Sequence, residues 1–118
     1  MKTVKFTLLT FFAVLLVAGC NSQNQNKKTA LKTEEIKVLG ECGMCKDRIE
    51  GAMKVDGIAE AVWNQETKLL TVTYNPALIT VDDIQKKAAA VGHDTEKYRA
   101  DDAVYASLPD CCHYERWN

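Results

Sequence analysis

The 118-residue chain predicts an α+β fold in which two helices cover one face of a four-stranded antiparallel sheet. Three observations predict it. Glu35-Ile36-Lys37-Val38-Leu39 and Leu70-Thr71-Val72-Thr73-Tyr74 alternate polar and apolar residues with the period of two that suits a half-buried strand. Ile49, Ala52 and Met53, and later Val81, Ile84, Ala88 and Val91, repeat at helical spacing instead. Turn chemistry separates these runs at Asp56-Gly57, at Asn64 to Thr67 and at Asn75-Pro76.

Taken in order, residues 1–19 read as a leader. Lys2 and Lys5 precede an apolar run from Leu8 to Ala18 broken only by Thr10, which is too short to span a membrane as a helix. The run ends in Val17-Ala18-Gly19-Cys20, which resembles a bacterial lipobox, with Cys20 as the lipidated residue. Residues 20–31 then form a polar tether, since Asn21 to Lys28 carries no apolar side chain to offset the entropy of ordering. These features place the mature chain in the bacterial cell envelope, anchored to the membrane by lipid and facing the periplasm.

Residues 32–100 form the predicted domain. A first strand at Glu35 to Leu39 leads into a helix over Lys46 to Met53, and Ile58 to Trp63 pairs with Lys68 to Tyr74 as a hairpin. Thr80-Val81-Asp82-Asp83 has capping-box character and opens the second helix, which Gly92 ends. Thr95 to Arg99 is the expected fourth strand. The order β-α-β-β-α-β is that of the ferredoxin-like sandwich.

Cys42 and Cys45 fall where the first strand gives way to the first helix. Unpaired backbone N–H groups and the positive end of the helix dipole favour thiolate there, and two thiolates three positions apart converge on one soft cation. The strand, the loop Cys42-Gly43-Met44-Cys45, the helix at the second cysteine and the element order together resemble the heavy-metal-associated domain family. That family includes copper chaperones, periplasmic mercury-binding proteins and N-terminal modules of metal-exporting ATPases. The resemblance covers residues 34–100. It implies a non-enzymatic protein that binds a soft ion through Cys42 and Cys45 and passes it on. Cu(I) is the expected ion, and Zn(II), Cd(II) and Hg(II) accept the same paired thiolates. The implied partners are the metal ion and a metal-exporting ATPase or envelope efflux component.

The chain departs from the family pattern at Gly40, where the family places methionine; Met44 lies between the cysteines instead, as a packing residue or thioether ligand. Glu41 occupies a place that is acidic in zinc-handling members and is a candidate ligand. His93, in the loop after the second helix, should face the cysteine loop as a third ligand, a pH-dependent gate or a capping residue.

Residues 101–118 extend beyond the family pattern. A short helix is predicted over Ala100 to Ser107, followed by Leu108-Pro109-Asp110-Cys111-Cys112-His113. Residues 100–110 are long enough to return to the cysteine loop, reaching about 15 Å if helical and more than about 30 Å if extended. Cys111, Cys112 and His113 then have three uses open to them: ligands to the Cys42–Cys45 ion, a second site, or disulfides in an oxidising compartment. Tyr98, Tyr105, Leu108, Tyr114 and Trp117 are the residues expected to fasten the extension.

Fifteen basic and sixteen acidic residues leave a net charge of −1 with no basic stripe, which argues against nucleic acid as a partner. Two other readings stand beside metal transfer. One is a thiol–disulfide oxidoreductase using Cys42 and Cys45, which needs a parallel strand pair. The other is a structural lipoprotein whose cysteines are all disulfide-bonded.

Overall fold

The computed structural model describes residues 30–118; the leader, Cys20 and the tether as far as residue 29 lie outside the described residues. Strand β1 (Lys32–Lys37), helix α1 (Gly43–Ala52), strands β2 (Ile58–Trp63) and β3 (Leu69–Tyr74) and helix α2 (Val81–Ala90) follow the predicted order. A short helix α3 (Asp102–Ala106) and a 3₁₀ turn at Asp110–Cys112 complete the chain. The sheet is antiparallel in the order β1-β3-β2, with Ile36 and Trp63 both opposite Leu70 on the central strand. Alternation along β3 buries Leu70, Val72 and Tyr74 under Ile49 of α1 and Ile84 of α2. No helix among the described residues is long and apolar enough to cross a membrane.

The two long helices start differently, α2 with a side-chain cap and α1 without one. At α2, Thr80 Oγ1 accepts from the Asp83 N–H at 3.1 Å while Asp83 Oδ2 accepts from the Thr80 N–H at 3.2 Å, the reciprocal pair its sequence predicts. Helix α1 starts three residues earlier than predicted, with Cys42 as its N-cap in extended backbone (φ −136°, ψ 177°). Cys45 therefore lies in the first turn and is buried, one turn before Ile49 on the same face.

The expected fourth strand over Thr95 to Arg99 is corrected by the structure. Thr95 makes only an isolated antiparallel bridge to Val38, the residue after β1, so the sheet has three strands among the described residues. The segment turns on itself instead: the Thr95 N–H donates to the Tyr98 carbonyl at 2.8 Å, and the Tyr98 N–H donates to Thr95 Oγ1 at 3.0 Å. Glu96 Oε1 then accepts the Lys37 N–H at 2.7 Å, so a side chain satisfies the donor that another strand residue would have used.

Trp63 braces the loop before α1. Its indole N–H donates to the Val38 carbonyl at 2.9 Å, and its ring closes on Gly40 so tightly that a Cβ there would lie 2.9 Å from two ring carbons. Glu50 holds the same corner, accepting the Trp63 N–H at 2.9 Å while paired with Lys46. A Gly40→Ala substitution should overpack this corner and cost about 1–3 kcal/mol, read as a lower urea midpoint with unchanged slope.

The extension folds back across the domain. Leu108 packs on Gly92, whose φ of +101° marks the turn after α2. Asp94, in that loop, is fully buried and bridged by Arg116, with Nε to Oδ2 at 2.9 Å and Nη2 to Oδ1 at 2.8 Å. The Tyr114 hydroxyl donates to the Gly92 carbonyl at 2.6 Å and accepts the Asp94 N–H at 2.8 Å. Tyr105 lies edge-on to Tyr114, with ring centroids 5.1 Å apart, and beneath the Arg116 guanidinium at 4.5 Å. Trp117, expected among these fasteners, is 44% exposed.

Candidate metal centre

Capping geometry and tail placement bring the sulfurs together. Cys42 Sγ lies 3.6 Å from Cys45 Sγ and 3.5 Å from Cys112 Sγ. These three donors all lie within 4.8 Å of one another, with Cys45 and Cys112 fully buried and Cys42 half-buried. A metal–sulfur bond of about 2.3 Å places the corners of a trigonal thiolate site about 4 Å apart. The group therefore matches a three-coordinate soft ion with small adjustments. Every cysteine of the described residues is a free thiol.

Cys111 lies outside this group, on the exposed side. Its Sγ is 3.0 Å from Cys42, 3.9 Å from Cys112 and 3.4 Å from Met44 Sδ. The two adjacent cysteines thus face different ways: the 3₁₀ turn sends Cys112 into the core and leaves Cys111 at the surface.

The thiols differ in acidity. Burial opposes ionisation of Cys42, but its hydrogen bonds with the Cys111 thiol, the Cys45 backbone N–H and the thiols of Cys112 and Cys45 outweigh it and bring its pKa down to about 7 from 9.0. Burial and thiol contacts with Cys45 and Cys42 push Cys112 upward. Cys111 also rises, chiefly through its hydrogen bond to Cys42 and then through desolvation. Of Cys42, Cys111 and Cys112, Cys42 is thus the first to carry charge, and a bound cation takes the place of the proton that each of these thiols gives up.

Glu41, His93 and His113 do not join the three-sulfur group. Glu41 is exposed; its backbone N–H donates to Cys45 Sγ at 3.4 Å, and its carbonyl accepts from Gln65 at 2.9 Å. His93 is fully buried, donates from Nδ1 to the Leu39 carbonyl at 2.8 Å and stacks on Tyr114 at 5.5 Å. Its Nε2 has no partner, and burial holds its pKa below the ordinary value. His113 is exposed and lies against Tyr105 at 5.3 Å.

The residues that sequence reasoning missed are Asp94 and Arg116, which set the tail in place. The local signal was thin: an acidic residue beside His93 and an arginine near the end of the chain become partners only through the fold.

Both strand pairings among the described residues are antiparallel, so the parallel pair required by a thioredoxin-like oxidoreductase is missing there. Comparisons with known proteins agree with the metal reading. Residues 41–94 match the model of the heavy-metal-associated domain. A zinc-transporting ATPase of Synechocystis is 39% identical over 69 residues, which span 57% of this chain and 10% of that protein. The chain spans a tenth or less of the curated relatives it matches. The structure of CopZ metallochaperone is 29% identical with a TM-score of 0.53, the match covering 54% of this chain and 98% of that one. A copper form of CopA from Bacillus subtilis is 30% identical with a TM-score of 0.50, covering 59% and 97%. With the matched segment running from the cysteine loop to the end of the α2 loop, the chain belongs to the heavy-metal-associated domain family.

Proposed function

We propose that this protein binds a soft metal ion, Cu(I) foremost, through Cys42, Cys45 and Cys112, and sequesters it or passes it to a membrane exporter in the bacterial envelope. The observation that carries this reading is the convergence of three thiols, two from the family loop and one from the extension, with no nitrogen or oxygen donor in the group. All-sulfur, three-coordinate sites suit Cu(I) better than Zn(II), which takes four ligands and accepts histidine and carboxylate readily. Transfer proceeds by ligand exchange: an incoming thiolate attacks the ion from the side of Cys42, the only one of the three sulfurs with solvent access. A buried third thiolate slows that exchange, so retention is stronger here than at a two-cysteine site. The lipobox pattern at Cys20 supports membrane anchoring and a periplasmic domain.

Anaerobic titration of the reduced protein against a competing Cu(I) chelator tests the reading. The first equivalent should bind tightly in the wild type, and Cys112→Ser should weaken it by about tenfold or more, since losing even 1.4 kcal/mol has that effect. Unchanged affinity in Cys112→Ser would remove the tail from the site, and no binding by the wild type would reject the function.

A further inference from the structure

We propose that a second, outer soft-ion site, built from Cys111, Met44 and a shared Cys42, adjoins the inner one. It rests on the inner site proposed above and extends it from one ion to two. Met44 is 52% exposed in the first turn of α1, where no packing demand explains a long apolar side chain. Its Sδ lies 3.4 Å from Cys111 Sγ, and that sulfur in turn lies 3.0 Å from Cys42 Sγ. Three sulfurs from two distant parts of the chain thus meet at the surface beside the inner group.

Cys111 has no place in the inner group, because Cys112 of the same turn already supplies its third sulfur. Cys42 is the sulfur common to both sets, lying 3.6 Å from Cys45 on one side and 3.0 Å from Cys111 on the other. A thiolate carries enough lone pairs to bridge two d¹⁰ ions. The inner ion displaces the protons of Cys42, Cys45 and Cys112 to solvent; the outer ion displaces that of Cys111 and takes the neutral Met44 thioether as it stands.

The donor set determines which ion fits. Thioether sulfur binds Cu(I) and is a poor ligand for Zn(II). The outer site therefore takes Cu(I) and rejects Zn(II). It also provides an exposed first stop, from which an ion reaches the buried sulfurs by exchanging ligands at Cys42.

The test is anaerobic Cu(I) titration of the full-length reduced chain, with native mass spectrometry for stoichiometry, X-ray absorption for metal neighbours and gel filtration for size. The wild type should take two Cu(I) per monomer, with a metal–metal scattering shell. Cys111→Ser should take one and lose that shell, and Met44→Leu should weaken the second step about tenfold while leaving the first unchanged. Zn(II) should stop at one in all three proteins. A wild type that stops at one Cu(I), a Cys111→Ser variant that keeps two, or a second ion found only in dimers would overturn the outer site alone. A chain that binds no Cu(I) at all would overturn the inner site as well.

Discussion

Arg116→Met should destabilise the protein by about 3–5 kcal/mol, the cost of leaving a buried charge without its partner. Asp94 is fully buried, and Arg116 supplies two of its hydrogen bonds. A third comes from the Ala100 N–H at 2.8 Å, which a methionine at position 116 leaves intact but which does not balance the charge. Urea unfolding measures the loss. The double variant Asp94→Asn/Arg116→Met should recover part of it, because a neutral amide replaces the stranded carboxylate; a double variant no more stable than the single one would show that packing, not charge, governs the site.

The same pair sets a pH dependence. Burial raises the Asp94 pKa, but the Arg116 hydrogen bonds, the Ala100 N–H and the nearby guanidinium charges outweigh it and hold the carboxyl below its ordinary 3.8. Its folded pKa is therefore lower than its unfolded one. The stabilisation is complete above the unfolded value and is lost as pH falls through the folded value. In Arg116→Met the sign reverses: burial then dominates, protonation favours the folded state, and the deficit against wild type should shrink on acidification. A deficit independent of pH would contradict this account.

Loss of the tail lock should also reach the metal. Cys112 follows α3 and precedes Tyr114 and Arg116, so a detached tail removes the third sulfur from Cys42 and Cys45. Arg116→Met should therefore bind Cu(I) more weakly than wild type, in the same direction as Cys112→Ser, with Cys42 and Cys45 untouched.

The largest effect on binding is expected from Cys42→Ser/Cys45→Ser, which should abolish stoichiometric soft-metal binding. Serine hydroxyls do not ionise near neutral pH and are hard, weak donors for Cu(I). The variant should still fold. The buried hydroxyl at position 45 can accept the Glu41 N–H that now donates to sulfur at 3.4 Å, which limits the cost to about 1–3 kcal/mol. Circular dichroism verifies folding and chelator competition reads affinity. Retained tight binding would move the site elsewhere in the chain.

Much of the fold was legible along the chain, because local rules set it. Alternation at Leu70, Val72 and Tyr74, the helical stripe of Ile84 and Ala88, and the Thr80–Asp83 box each depend on neighbours a few residues away. The fourth strand fails for a local and a non-local reason. Thr95 and Tyr98 close a turn through their own hydrogen bonds, and the Glu96 carboxylate takes the Lys37 N–H across the chain. The start of α1 is not legible in the sequence because Gly43 is a poor helix former and Cys42, at the N-cap position, makes no side-chain capping hydrogen bond.

The paired thiols of Cys42 and Cys45 were determined by sequence alone, because spacing of three at a helix start puts two side chains on one side whatever packs around them. Which further donors approach them was decided only by the tertiary structure. Cys111 and Cys112 lie side by side in the sequence with equal claims, and His93 and Glu41 are nearer to the loop along the chain. The lock of Asp94 on Arg116 and the burial of Tyr114 orient the 3₁₀ turn so that Cys112 points inward and Cys111 outward, while the Leu39 carbonyl holds His93. Such choices depend on contacts between residues many positions apart, whose free energies exist only once the chain has closed.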